Sequence, residues 1–432
     1  MTQKAKSLKD IFNLFKPKAL TGEQVAFYQK TAAVRDGANR EFHDSLYSRI
    51  VSSDTHERLL IVGHGGCGKS TELLMLMAKL TQKNMPVVIV EAINDLDLYN
   101  FSFIDIFVRI VERMVQYAIE CEFKINKNII KAFQKSLTTK STEEYWKDDT
   151  EFGADGSISA KATIPFYLKA ILKINSSLKM ASGFKEELRQ EIKPKIHEVI
   201  ASLNALIDDL STQASQPITL IIDGLEKCRQ EPVRKLFVED IAFLAGIQAH
   251  LVIACPIGVY RSADAAVLSS YFKSPVVIPM IKTHHQDGSL YSEGVEVIRD
   301  LVEKRVGLSF FEDGVLNTII TKAGGSLRDT CLLLSESAFQ AFMRNRTTVD
   351  MDSVAFTMKN FANDLFFRIK ADLYSRTKLI YEGDLEAKAD EELSELLYSG
   401  AVFEYNGDRW VDLHPLVRDY FKEHPGVLDW KR

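Results

Sequence analysis

Residues 63–70 read Gly63-His64-Gly65-Gly66-Cys67-Gly68-Lys69-Ser70, which meets G-x-x-x-x-G-K-[ST] at every fixed position. The pattern constrains the fold because it needs a buried strand before it and a helix after it. Leu59-Leu60-Ile61-Val62 is a short apolar run of the first kind, and Thr71 to Leu80 is a run of good helix formers. Strand, glycine loop and helix together make a phosphate cradle. Glycines let the backbone wrap an anion with no side chain in the way. The amides of the loop form an anion-binding concavity, and the helix adds its positive end. The predicted contact set is Gly63, His64, Gly65, Gly66, Cys67, Gly68, Lys69, Ser70 and Thr71. Lys69 is placed to reach the β- and γ-phosphates as a point charge. The Ser70 hydroxyl suits Mg²⁺, a hard cation that prefers oxygen. The plain alternative is a glycine-rich turn that holds no ligand.

The chain has 432 residues, more than one compact core holds, so roughly two to four domains are expected. A net charge of −5 gives no bulk case for nucleic-acid binding, although it does not exclude a local basic patch. The five cysteines, Cys67, Cys121, Cys228, Cys255 and Cys331, are far apart and show no metal or disulfide spacing. A thiol inside the phosphate loop fits a reducing compartment. No apolar stretch approaches the length of a membrane span, and the first residues lack the apolar core of a signal peptide. The expectation is a soluble, cytoplasmic protein.

Along the chain, residues 1–50 read as polar-amphipathic helix leading into the first strand. Further strands are predicted at Met85–Glu91, Ile218–Asp223, His250–Cys255 and Pro275–Pro279, and helices at 101–122, 184–213 and 231–245. Strands that alternate with helices and are apolar on both faces argue for a parallel sheet covered on two sides. The fold class is therefore α/β, a P-loop NTPase sheet, with the core at 51–285. An insertion at about 138–183 is rich in Thr, Ser, Lys, Asp and Gly. Within it, Pro165 to Ile174 is apolar with interleaved lysines, either packing on the core or presenting an amphipathic face to a partner or membrane. Only helical periodicity follows, giving an all-helical lid at 286–363. The final part, 364–432, reads as helices and then two alternating strands around Asn406-Gly407, a strong hairpin signal. That combination predicts a winged-helix domain.

Asp223 ends a strand of four apolar residues in five, where an aspartate holds the Mg²⁺ shell at the carboxyl edge of a sheet. Its alternative is a turn cap at Asp223-Gly224. Glu226, three residues on, is placed to orient or deprotonate an attacking water, or is a solvated loop carboxylate. No glutamate directly follows the aspartate, so hydrolysis is slow or uses Glu226. Arg261, after the 251–255 run, either reaches the γ-phosphate or makes a surface ion pair. In Ala323-Gly324-Gly325-Ser326-Leu327-Arg328-Asp329, two glycines end one helix and Ser326 caps the next. Arg328 then opposes the dipole of that helix, which points to an anionic partner such as phosphate, or to a plain salt bridge.

These residues together resemble the STAND signalling ATPases and the origin-recognition-like members of the AAA+ superfamily. Asp223-Gly224-Leu225-Glu226 is similar to the STAND form of Walker B, and Gly324 to Asp329 is similar to the sensor 2 region of origin-recognition-like ATPases. Asp412-Leu413-His414-Pro415 resembles the Met-His-Asp motif of STAND winged-helix domains, with His414 at the histidine, Leu413 at the methionine and Pro415 at the aspartate. The resemblance implies that His414 touches the β-phosphate of bound ADP; its alternative is a buried structural histidine. It implies ATP or ADP with Mg²⁺ as cofactors. It also implies a nucleotide-controlled switch in which core, lid and winged helix clamp the nucleotide. STAND proteins usually carry a fused effector and a repeat-built sensor. Neither is visible in this chain, so those functions are expected from partner proteins in trans, in a homo- or hetero-oligomer, in a setting such as bacterial antiviral defence. The alternative is a DNA-directed AAA+ ATPase of the origin-recognition or transposition-regulator kind, against which the acidic net charge weighs. A metabolic kinase shares the loop but not the helical and winged C-terminal third.

Overall fold

The structure is a computed structural model that describes residues 4–37, 40–143, 171, 173, 174, 176, 178, 182–383, 390–405 and 410–427. Its centre is a five-stranded sheet: β1 (Arg58–Gly63), β2 (Val87–Glu91), β3 (Thr219–Asp223), β4 (His250–Pro256) and β5 (Val276–Ile278). The spatial order is β2-β3-β4-β1-β5, and every pairing is parallel. The three inner strands are apolar along almost their whole length and buried on both faces, as a sheet covered by helices on two sides requires. β4 lies between β1 and β3, so the phosphate loop after Gly63 and the carboxylate of Asp223 sit two strands apart on one edge.

The predicted helices form, with two breaks. The run at 184–213 is two helices, Ser182–Ile192 and Ile196–Ala214, separated by a 3₁₀ turn at Lys193–Lys195. Pro194 has no N–H to donate, and its ring disfavours a helical residue before it. The run at 231–245 is also divided, into Gln230–Val238 and Ile241–Ala245, where the Lys235 carbonyl takes the amides of both Glu239 and Asp240. The helix Phe103–Glu120 begins with a capping box formed by Ser102 and Asp105. Of the apolar stretch within the insertion, only Ile171, Lys173 and Ile174 are described; the two isoleucines are buried in the main core, and the rest of that expectation lies outside the described residues.

After β5 come four helices, Ser292–Glu303, Val315–Lys322, Leu327–Met343 and Met351–Phe367. Next are Tyr374–Glu382 and Glu391–Ser399, then the antiparallel pair β6 (Val402–Tyr405) and β7 (Trp410–Leu413), then the helix Pro415–Glu423. The predicted hairpin forms, with Tyr405 facing Trp410; residues 406–409 between them, Asn406 and Gly407 included, lie outside the described residues. The C-terminal elements pack hard on the core. A Cβ added at Gly258 would lie 2.5 Å from the Ser394 carbonyl oxygen, and the Ser394 hydroxyl donates to the Gly258 carbonyl at 2.8 Å. The N-terminal segment threads the other way, over the four-helix region. The Ala5 amide donates to the Arg305 carbonyl, and the Ser335 hydroxyl donates to that of Phe12. No helix among the described residues is long and apolar enough to cross a membrane.

Candidate functional site: the phosphate loop and its surroundings

The loop leaves β1 at Gly63 and enters the helix Lys69–Gln82. Gly66 adopts φ +96°, and an added Cβ there would lie 2.7 Å from Arg328 Cβ and 2.8 Å from Ser326 Oγ. The glycine therefore serves both the left-handed turn and the close approach of the helix Leu327–Met343. Ser326 caps that helix by accepting from the Asp329 amide, and the Arg328 amide donates to the Gly66 carbonyl at 3.3 Å. Arg328 thus lies directly on Gly65 and Gly66.

Lys69 is buried, with Nζ donating to the carbonyls of Gly63 (2.8 Å) and His64 (2.9 Å) and lying 4.0 Å from Glu226 Oε2. The Ser70 hydroxyl lies beside the Asp223 carboxylate at the end of β3 and favours its charged form. Asp223 Oδ1 and Glu226 Oε2 are both buried and have no hydrogen-bond partner. Burial and the Glu226 charge raise the Asp223 pKa, against the pull of Ser70 and Lys69. For Glu226 burial is again the largest cause and works in the same direction, but Lys69, its own backbone amide, Lys227 and Arg328 together outweigh it and the pKa falls. One ammonium thus faces two buried carboxylates with free oxygens, a donor set suited to a hard cation.

Two cavities flank the loop and share Glu226 and Arg328. The first runs from Gly66–Glu72 to a mainly apolar end formed by Ala19, Leu20, Phe27 and Tyr28 on the N-terminal segment and Leu301, Leu327 and Cys331 opposite, with Lys18, Gln29 and Arg305 in the same lining. The second lies between Gly63, Gly65 and the C-terminal elements, with Arg368, Tyr398 and Phe403 in its wall.

Arg261 and His414 line neither cavity. Of the two readings of Arg261, the structure shows the ion pair. Its Nε and Nη2 meet the Glu404 carboxylate at 2.7 and 2.5 Å, and it is part-buried rather than at the surface. His414 is fully buried; its Nδ1 accepts from the Leu416 amide as the cap of the helix Pro415–Glu423, and its Nε2 lies 3.7 Å from Asp329 Oδ2. His64 turns its ring away from the loop, and Nε2 accepts from the Glu404 amide at 2.8 Å.

Sequence reasoning missed the N-terminal side. Arg35 is buried and donates to Thr31 Oγ1 (2.9 Å), to the Cys67 carbonyl (2.7 Å) and to the Pro279 carbonyl. The Tyr28 hydroxyl lies between Glu41 (3.0 Å) and Glu72 (2.8 Å), and His43 Nδ1 is 2.7 Å from Glu72. Burial and the Glu72 charge push the Tyr28 pKa far up, so it remains a donor. No motif announces these residues; the only hint was a polar segment with helical spacing beside the first strand.

Residues 39–253 match the family described as the KAP family P-loop domain. No curated protein matches the sequence. Among solved structures, Cdc6p of Pyrobaculum aerophilum is similar at 11% identity and TM-score 0.39, covering 95% of this chain and 99% of that one. The Aeropyrum pernix ORC1 protein in complex with DNA gives 12% and 0.40, covering 98% of each chain. The Aeropyrum pernix ORC2 protein (ADPNP-ADP complexes) gives 14% and 0.42, covering 94% and 96%. The family match, the loop and the parallel sheet agree: this chain has a P-loop NTPase fold, which implies nucleotide binding.

Proposed function

We propose that the protein is an ATP-binding and ATP-hydrolysing switch whose domain arrangement or assembly follows the bound nucleotide. One observation carries this reading: the loop that would grip the phosphates is also a packing surface. The helix Leu327–Met343 lies on it through Arg328, and the C-terminal hairpin meets it at His64. A ligand that alters such a surface makes different contacts in each arrangement and so shifts their populations.

In this reading the loop amides and Lys69 hold the phosphates. Ser70 and Asp223 would hold Mg²⁺, which supplies charge neutralisation at the phosphates. Among the described residues no cluster of three His, Cys, Asp or Glu side chains forms a metal site; Mg²⁺ in this setting keeps waters and phosphate oxygens as most of its ligands. Glu226 accepts the proton of the attacking water or orients it. Arg328 stabilises negative charge on the phosphates. The apolar end of the first cavity, between Tyr28 and Leu327, takes the base. The finer parts of the proposal follow the resemblance stated above. They are a STAND-like division into core (51–285), lid (286–363) and winged helix (364–432), action through partner proteins in an oligomer, and a setting such as cytoplasmic antiviral defence.

The test is calorimetry with Mg-ATP and Mg-ADP, followed by small-angle scattering with ADP and with a non-hydrolysable ATP analogue. Binding with two distinct shapes or masses is expected; identical shape and mass would end the switch reading. Asp223→Asn should lower hydrolysis at least about tenfold while changing nucleotide affinity less. Wild-type turnover in that variant would remove Asp223 from the site.

A second reading, a DNA-directed ATPase, draws on the helix Pro415–Glu423, which follows β7 and packs on the helices Met351–Phe367 and Val315–Lys322. Against it, Arg418 is engaged by Asp412 and by the Tyr381 carbonyl. Salt-sensitive DNA binding that raises ATP turnover would favour this reading over the first.

A further inference from the structure

The turn that carries Glu226 is gripped from the C-terminal third. Glu226 sits in a single 3₁₀ turn, Leu225–Lys227, entered through Gly224 at φ +84°. Within it the Lys227 amide donates to the Gly224 carbonyl and the Cys228 amide to that of Leu225, each at 3.1 Å. One such turn is weak by itself, because 3₁₀ hydrogen-bond geometry is poorer than that of an α-helix. Glu226 Oε2 has no hydrogen-bond partner among the described residues, and Lys69 Nζ stands 4.0 Å from it. The place of the carboxylate is therefore set chiefly by the turn, and the turn by what holds its end. From the core, the Arg229 amide donates to the Leu98 carbonyl at 2.7 Å. From the helix Glu391–Ser399, the Tyr398 hydroxyl donates to the Cys228 carbonyl, also at 2.7 Å. Tyr398 is itself pressed on the core, since a Cβ added at Gly258 would lie 3.2 Å from its own Cβ. Tyr398 and Glu226 line one cavity, together with Gly65 and Arg328.

We propose that Tyr398 is a positioning residue for Glu226, so that the C-terminal third, when seated, makes the site competent to hydrolyse. This rests on the nucleotide reading above, with Glu226 acting on the water, and deepens it by naming the arrangement that hydrolyses. Tyr398 acts through the main chain, from the Cys228 carbonyl back to Glu226. An arrangement in which the helix Glu391–Ser399 has lifted removes one of the two holds on the turn. Placement matters to such a carboxylate, since an offset of about 1 Å costs up to about a hundredfold in rate. ATP bound in the lifted arrangement is therefore cleaved slowly, and that arrangement persists. Reseating the helix restores the turn, and hydrolysis then resets the switch.

The test is single-turnover hydrolysis of Mg-ATP by the full chain, with calorimetry of a non-hydrolysable Mg-ATP analogue on the same samples. Tyr398→Phe removes one hydroxyl and keeps the ring. Its hydrolysis rate should fall at least about fivefold while the affinity for the analogue stays within about twofold. Glu226→Gln should fall further. Adding Tyr398→Phe to Glu226→Gln should then change the rate little, because the carboxylate that the turn places is gone. A wild-type rate in Tyr398→Phe would overturn the proposal and leave the nucleotide reading standing. Equal fold losses from Tyr398→Phe in the wild-type and Glu226→Gln backgrounds would do the same, as would a loss of affinity that matches the loss of rate. A wild-type rate in Glu226→Gln would remove the group that Tyr398 is said to place. A wild type that binds the analogue but cleaves no ATP removes hydrolysis and this proposal together, and leaves only binding.

Discussion

The two sides of the phosphate loop are held by different chemistry. On the N-terminal side, buried charges meet one another and the backbone: Arg35 on the carbonyls of Cys67 and Pro279, and Tyr28, Glu41, His43 and Glu72 in one connected network. On the C-terminal side, one neutral imidazole accepts one amide, and one ion pair stands beside it. A dense network of buried charge is costly to open, because each separated member leaves another unpaired. A single hydrogen bond to a neutral ring opens at about the cost of that bond. The molecule thus fixes its loop by buried charge on one side and by a neutral hydrogen bond on the other, while the C-terminal elements are held to the core at Gly258 and Cys228.

The largest test of this asymmetry is Arg35→Ala. It leaves two buried carbonyls without a donor, so it should lower unfolding free energy by about 3 kcal/mol or more, read from urea titration. A cost within that of a surface substitution would dissolve the contrast. Lys69→Ala acts on the loop common to both sides. Nucleotide affinity should fall at least about a hundredfold by calorimetry, with far-ultraviolet dichroism unchanged. Glu404→Gln should cost roughly 1–2 kcal/mol, and proteolysis should map the change to the hairpin rather than the sheet.

The last test is a pH slope. The folded-state pKa of His64 is about 3, below its ordinary value of 6.5, so the folded state binds fewer protons. Stability from its neutral burial is full above about pH 6.5 and is lost as pH falls toward 3, by at most about 1.4 kcal/mol per unit. His250, pushed down to about 4 by burial and the nearby His56, contributes in an overlapping window. His64→Gln should therefore flatten the acid limb of a stability profile without abolishing it.

The sheet and the loop were legible because their signals are local. A glycine pattern between an apolar run and a helix specifies its own geometry, and Asp223 is marked by the strand that ends on it. The hairpin was legible from alternating apolar residues on either side of Asn406-Gly407. Strand order was not, since nothing within β4 says that it inserts between β1 and β3. Arg35, Tyr28 and Glu72 were invisible for a related reason: they are polar residues whose partners lie up to 244 positions away. His414 shows the converse. Its neighbours suggested a phosphate contact, but the structure gives it to the cap of its own helix and to the vicinity of Asp329. Arg261 was left between γ-phosphate and ion pair, and only the fold brings Glu404 to it.

Gly258 offers a mechanical handle on the same asymmetry. One methyl group there cannot coexist with the seated helix Glu391–Ser399, because the carbonyl oxygen of Ser394 already occupies its place. An alanine at 258 would act as a wedge, prising the C-terminal third away with every phosphate-contacting group left intact. An undocked form would then be something that can be purified, weighed and offered to other macromolecules.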